Sequence, residues 1–382
     1  MSSVANRGVN RWLLRAHIGN TPTGQPIHKS KTITTHSKKH AEMLARQWEL
    51  ELRATGYVGA GQAPTLDVVA DLWLTRIDLD GELEEWTRYG YRKVYDRDIR
   101  PALGGRRIAT ITVKDIDSFY RTLADRATSA PRYAHVVLRA IYKEAIRLGV
   151  VASSPLGLVS LPKRRRTHKE WPSMTDVGKV IEAAYRADPW RARFVVVAIG
   201  TGARRGELAA MRWSDVDGDV WMIDEAIAAV PGKTMHVKDP KTHQRRPVPL
   251  HPDVTQAVKD QLLWLEDRAY RYNVSLCRDP FLWSGRDDGS VPFKPDWLSH
   301  VFRLAAREAG VSATLHDCRH TFASWHAGND TPLTDVQAML GHGSLATTSI
   351  YLHGDTVRQR KAIDRMRLPI RRALGAAPED RP

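Results

Sequence analysis

His316-Asp-Cys-Arg319-His320-Thr-Phe, then Leu340-Gly341-His342, then Thr347-Thr-Ser-Ile-Tyr351-Leu-His353, follow one another near the C-terminal end of a 382-residue chain. His316 and Arg319 are three apart. On a helix they share one face, where a guanidinium can hold an anionic oxygen beside an imidazole able to move a proton. A phosphodiester suits such a pair. Gly341 can end a helix in the left-handed conformation, which places His342 at a turn with its ring aimed away from the helix axis. Tyr351 follows nine positions later. A phenol with a pKa of ~10 is a weak nucleophile alone, but nearby cations and a base bring it into play.

The length sets a prior of two or three domains, and 42% hydrophobic residues suffice for buried cores. A formal charge of +15 implies an anionic partner. Nucleic acid leads, with an acidic membrane surface as the rival. No stretch approaches the ~20 apolar residues of a spanning helix; the longest apolar run, Phe194 to Ile199, reads as a core helix. Met1-Ser-Ser-Val-Ala-Asn-Arg lacks the apolar segment of a signal peptide, so the expectation is a cytoplasmic, nucleoid-associated protein of a bacterial host. Cys277 and Cys318 do not force a disulfide, and no Cys/His cluster has zinc spacing, so no metal site is expected.

Outward from the opening stretch, the chain separates into segments of different character. Trp12 to Ile18 and Gln25 to Thr35 read as strands around a Gly19–Gly24 turn, and Ser37 starts a helix stopped by Thr55-Gly56. Residues 1–62 carry nine Lys/Arg against three Glu, a charge that suits DNA contact through the sheet or simply a solvated face. Residues 57–63 read as a linker. A four-helix unit follows. Its helices start at Thr65, run over Leu83 to Ile99 with a stop before Pro101, start again at Thr112-x-x-Asp115, and span Pro131 to Leu148. Arg88, Arg92, Lys93, Arg97, Arg100, Arg106, Arg107, Arg132, Arg139 and Lys143 lie on its polar faces, fit either to clasp a duplex or to serve as ordinary surface. Pro155 to Pro172 is a stiff basic linker in which Lys163, Arg164, Arg165 and Arg166 would lie naturally along a phosphate backbone.

From Ser173 the segments lengthen. Ser173-x-x-Asp176 starts a helix, and Trp190 to Gly200, apolar almost all round, reads as a central buried one. In Gly202-Ala-Arg204-Arg205-Gly-Glu207-Leu, Arg204 and Glu207 would share a helical face, with a structural salt bridge as the plain explanation. Val216 to Ile223 reads as a hairpin about Asp217-Gly218. Lys238 to Leu250 reads as a strand, a basic turn carrying Lys241, and another strand. Helices are expected over about 251–270, 295–310, 315–327, 332–340 and 344–351. Arg358 to Arg372, with seven Lys/Arg and an apolar stripe, reads as a terminal helix that docks in cis or in trans.

Gly202-Ala-Arg204-Arg-Gly-Glu207-Leu, Pro240-Lys241-Thr, His316-x-x-Arg319-His320, Leu340-Gly341-His342 and Tyr351-x-His353, in that order, resemble the tyrosine recombinases, specifically the phage-type integrases. The resemblance implies a multidomain, mainly α chain. A small three-stranded sheet plus helix binding arm-type DNA sites would occupy 1–56, a helical core-site-binding domain 64–160, and a mixed α+β catalytic domain with its basic tail 173–382, after the basic linker 161–172. It implies that Arg204 and Arg319 hold the scissile phosphate, that Tyr351 attacks it to form a 3′-phosphotyrosyl link, and that Lys241 protonates the departing 5′ oxygen. His316 would manage the phenolic proton, His342 would donate to the phosphate, and Glu207 would give support. Arg205 is a rival of Arg204 by register, and Lys233 and Lys238 are rivals of Lys241. No metal or cofactor is implied. The expected partners are double-stranded DNA at core and arm-type attachment sites, three further copies of the chain, and excision or DNA-bending accessory proteins. A type IB topoisomerase and an inert DNA-binding regulator are the competing functions.

Overall fold

Alternating inward residues along the first long strand, Leu14 and Ala16, are fully buried, each in a small cluster of its own. The computed structural model describes residues 3–20, 26–54, 64–162, 172–240, 245–329 and 331–341, in two units, Met1–His168 and Lys169–Pro382. The first unit opens with three antiparallel strands in the order β1 (Ser3–Asn6), β2 (Arg11–Asn20), β3 (Pro26–Thr34). β1 has only four residues, too few for a periodic signal. Helix α1 (Lys38–Ala54) lays Ala41 and Ala45 on Leu14, and Leu52 on Ala16.

The helical part of this unit follows. Thr65 precedes α2 (Leu66–Asp80) but its side chain makes no cap hydrogen bond; the Leu66 N–H is satisfied instead by the Arg106 carbonyl at 2.8 Å. α3 (Glu85–Val94) does not stop before Pro101. It continues as a π-helical stretch, Tyr95–Gly104, with the proline inside. A proline in an α-helix clashes with the carbonyl four residues back, and the wider turn moves that carbonyl out of the ring's path. Gly104 closes the stretch against the Asp67 carboxylate, with no room for a Cβ. α4 (Val113–Arg126) starts at the expected capping box, where the Asp115 carboxylate accepts from the Thr112 N–H at 2.8 Å. α5 (Ala130–Arg147) completes a core with Trp73, Tyr95, Ile99, Tyr120, Leu138 and Ile141 inside.

In the second unit the all-round apolar segment is indeed central. α6 (Met174–Ala187), capped by Ser173 and Asp176, leads into α7 (Pro189–Thr201), whose Phe194 and Val195 are fully enclosed. Phe194 meets Trp283 edge to face at 5.2 Å. α8 (Arg205–Ala210) is followed by the hairpin β4 (Val216–Asp217) and β5 (Val220–Ile223), then β6 (Ala226–Ala228), β7 (His236–Lys238) and β8 (Arg246–Pro249). Strands form at both ends of the Lys238–Leu250 stretch, but they do not pair with each other. β8 pairs with β5 and β7 with β6. The reason is burial: the β5 register sets Trp221 opposite Val248, both almost fully enclosed. α9 (Pro252–Arg271), α10 (Pro295–Glu308), α11 (Leu315–Gly328) and α12 (Leu333–Leu340) complete the unit. The helix expected over 344–351 and the basic tail lie outside the described residues.

Replacing Phe194 with alanine removes the ring on which α7 centres the core. Denaturant unfolding of the second unit should register a loss of ~3–5 kcal/mol.

Candidate active site

Glycine makes the first close approach. α7 ends at Gly202 in the left-handed conformation, φ 58°, where a Cβ would stand 2.9 Å from the Phe322 ring. That tight end lets Arg319, in the second turn of α11, donate from Nη1 to the Gly202 carbonyl at 2.9 Å and from Nη2 to the Leu340 carbonyl at 2.6 Å. Arg319 is buried. His316 lies one turn earlier and is exposed, its ring edge to face with His320 at 4.8 Å. The Asp317 carboxylate accepts from the Thr314 N–H at 2.7 Å and fixes the start of α11. Cys318 is core, as its small-hydrophobe reading expects, and burial pushes its thiol up.

Arg204 does not share a helical face with Glu207. It stands just before α8, at the cap position. The contact forms nonetheless, because Glu207 folds back to the helix start: its Oε2 accepts from the Arg204 N–H at 2.8 Å and its Oε1 from Arg204 Nη1 at 2.8 Å. Arg204 Nη2 donates to the Gly341 carbonyl at 2.7 Å, 137 residues away in sequence. Arg205 points elsewhere, to Asp296 at the start of α10. Of the two adjacent arginines, Arg204 is the one whose side chain reaches Glu207 and Gly341.

The sequence reading missed Arg246. Its Nη1 and Nη2 donate to Glu207 Oε1 and Oε2 at 3.1 and 2.6 Å, and its Nε donates to the Met339 carbonyl at 2.9 Å. The signal was present in the sequence. Arg246, Val248 and Leu250 alternate, all three are buried, and an arginine on the inward face of a strand requires a buried acceptor. Glu207, at 1% exposure, is that acceptor. Burial alone would push its carboxyl up, but hydrogen bonds and charge from Arg246, with Arg204 beside it, hold it below the usual carboxylate range.

Three guanidinium groups and one carboxylate leave this cluster positive, beside the residue that precedes His342. Such a site can hold an anion. Lys241, His342, Tyr351 and the linker residues Lys163, Arg164, Arg165 and Arg166 lie outside the described residues. Lys238, in β7, and Lys233, in the turn before it, are described.

In the first unit the basic faces divide. Arg88 and Arg92 pair with Asp78, Arg97 with Asp98, Arg100 with Asp71, and Arg106 with Asp115. Arg132, Val136, Arg139 and Lys143 recur on the exposed face of α5. Among the described residues, Arg139 and Lys143 make no ion pair, and no helix is long and apolar enough to cross a membrane.

Glu207→Gln should cost the second unit ~3 kcal/mol at neutral pH, because the buried Arg246 loses its counter-charge. Glu207 has a depressed carboxyl in the folded chain, so its contribution is complete above the unfolded value of ~4.3 and fades as pH falls through the folded one. Unfolding followed by denaturant across the acid range should therefore be less pH-dependent in the variant than in the wild type.

Residues 172–358 match the phage integrase family. A prophage phiRv2 integrase of Mycobacterium tuberculosis (strain H37Rv) is 26% identical over 348 residues, covering 89% of this chain and 88% of the relative. Two solved structures share the fold. The Tn1549 transposon integrase in complex with transposon right end DNA has a TM-score of 0.64 at 18% identity, over 78% of this chain and 98% of that one. A lambda integrase tetramer bound to a Holliday junction has a TM-score of 0.61 at 19% identity, over 92% and 94%. With the family match lying over the arginine cluster and the fold shared with these integrases, residues 172–358 carry a domain of the phage integrase family, that of the tyrosine recombinases.

Proposed function

We propose that the chain is a site-specific DNA recombinase that integrates or excises a mobile genetic element by cutting and rejoining DNA through a 3′-phosphotyrosyl intermediate. The observation that carries this reading is the convergence of Arg204 and Arg319 on the last turn of α12, at the carbonyls of Gly341 and Leu340. In this reading both guanidinium groups, fixed by these protein contacts, bind the non-bridging oxygens of the scissile phosphate, where negative charge builds in the pentacoordinate transition state.

Tyr351 attacks phosphorus through its phenolic oxygen. The new O–P bond joins the tyrosine to the 3′ phosphate as the bond to the 5′ oxygen breaks. Lys241 supplies a proton to that leaving oxygen, His316 takes the phenolic proton, and His342 donates a hydrogen bond to the phosphate. The ester conserves the energy of the broken bond, so a 5′ hydroxyl from either duplex can attack it and rejoin the strand. The exposed position of His316 fits a base that must reach a group delivered from outside α11.

The remaining segments have supporting roles in this proposal. The sheet with α1, residues 1–56, holds arm-type sites; the helical part, 64–160, holds core sites with the Arg132, Arg139 and Lys143 face of α5 toward DNA; the basic run Lys163 to Arg166 follows the phosphate backbone. Four copies act together on two duplexes, and excision or DNA-bending proteins set the direction. The enzyme acts on the chromosome in the bacterial cytoplasm.

A nicked duplex containing the attachment site, incubated in EDTA, traps the cleaved state. The wild type should form a covalent adduct and Tyr351→Phe none; an undiminished adduct in the variant would assign the nucleophile elsewhere. Lys241→Ala should cleave poorly and regain activity on a 5′-thio leaving group, since a thiolate needs little protonation. Rescue of Lys238→Ala in its place would move the role to Lys238. Removal of residues 1–62 should spare core-site cleavage and impair integration; unimpaired integration would remove the arm-binding role.

A further inference from the structure

The two oxygens of Glu207 are each shared. Oε1 accepts from Nη1 of both Arg204 and Arg246, and Oε2 accepts from the Arg204 N–H and from Arg246 Nη2. Arg246 uses its third edge, Nε, on the Met339 carbonyl. One planar guanidinium thus ties the carboxylate that orients Arg204 to the helix turn that Arg204 itself grips at Gly341. Gly341 makes this crossing geometrically feasible: a Cβ there would stand 3.0 Å from Arg246 Nη1 and 3.1 Å from its Cδ and Cζ.

We propose that Arg246 is a positioning residue for strand cleavage, holding Arg204, through Glu207, and the end of α12, through Met339, in one register so that Arg204 meets the phosphate. The inference rests on the reading of Arg204 as a phosphate ligand. Arg246 is buried, and among the described residues its side-chain hydrogen bonds go to Glu207 and Met339; its own strand begins where the segment carrying Lys241 ends in sequence. Lysine cannot replace it, because a single ammonium cannot present parallel donors to a carboxylate and a third to a carbonyl at a different angle.

A merely structural arginine and a positioning one differ in what relieves their loss. A methylphosphonate at the scissile position carries one negative charge fewer than the phosphodiester, so it lessens the demand on Arg204. Wild type, Arg204→Ala, Arg246→Met and Arg246→Lys, all full length, are compared on nicked duplexes carrying either linkage. The readouts are duplex affinity, thermal midpoint and the single-turnover rate of adduct formation at saturating DNA.

On the phosphodiester, both Arg246 variants should form adduct ~100-fold more slowly than the wild type, with affinity within ~3-fold. On the methylphosphonate, the deficits of Arg204→Ala and Arg246→Met should both shrink at least ~10-fold, because the lost stabilisation is that of the same charge. Wild-type cleavage by Arg246→Met overturns the proposal. So does a deficit that stays unchanged on the methylphosphonate while that of Arg204→Ala shrinks. If Arg204→Ala shows no deficit, or none that the methylphosphonate relieves, it is the phosphate role of Arg204 that fails. Should Arg246→Met not fold, Arg246→Lys, which keeps the charge, carries the same two readouts.

Discussion

The last turn of α12 presents three consecutive carbonyls, Met339, Leu340 and Gly341, and each is taken by an arginine from a different part of the chain: Arg246, Arg319 and Arg204. Helix C-termini leave such carbonyls without intrahelical partners and carry partial negative charge, so cations are favoured there. Two of the three guanidinium groups are nearly fully buried, which is costly without buried acceptors. Glu207 and the Gly202 carbonyl are such acceptors. The glycines at 202 and 341 follow from the same constraint, since side chains at either would occupy space used by Phe322 or Arg246.

Such an arrangement fixes positive charge in advance of an anion. Guanidinium groups held by backbone carbonyls do not need to reorganise when a phosphate arrives, and this is where electrostatic catalysis gains most. The residues that would stabilise the phosphate in the proposed function grip the last turn of α12, the turn that precedes His342 in sequence. A positively charged chain with further basic faces, such as that of α5, suits a reaction in which cut ends have to be held.

Much of this was legible in residue order. The apolar character of Trp190–Gly200 identified α7, Thr112-x-x-Asp115 and Ser173-x-x-Asp176 marked helix starts, and Gly341 takes the left-handed φ of 62° that a helix end requires. These signals are local, and local signals survive folding. What was not legible depended on partners far away in the chain. The pairing of β8 with β5 follows from Trp221 meeting Val248, and the π-helical passage through Pro101 from packing that outweighs the proline's preference. Arg246 looked like one more member of a basic turn because its acceptor, Glu207, is 39 residues away. Its inward register beside Val248 and Leu250 was the clue. Arg204 was read on a helix face and stands at the cap, yet the contact with Glu207 is the same, because a residue three positions on can return to the helix start as readily as stack above it.

The central claim is that this arginine cluster holds the phosphate onto which Tyr351 is delivered. Its most direct test is mass spectrometry of the covalent adduct trapped on a nicked attachment-site duplex, after digestion of protein and DNA. The account predicts a single modified peptide, with a nucleotide joined through its 3′ phosphate to Tyr351. A nucleotide on another tyrosine, or one joined through its 5′ phosphate, would contradict it.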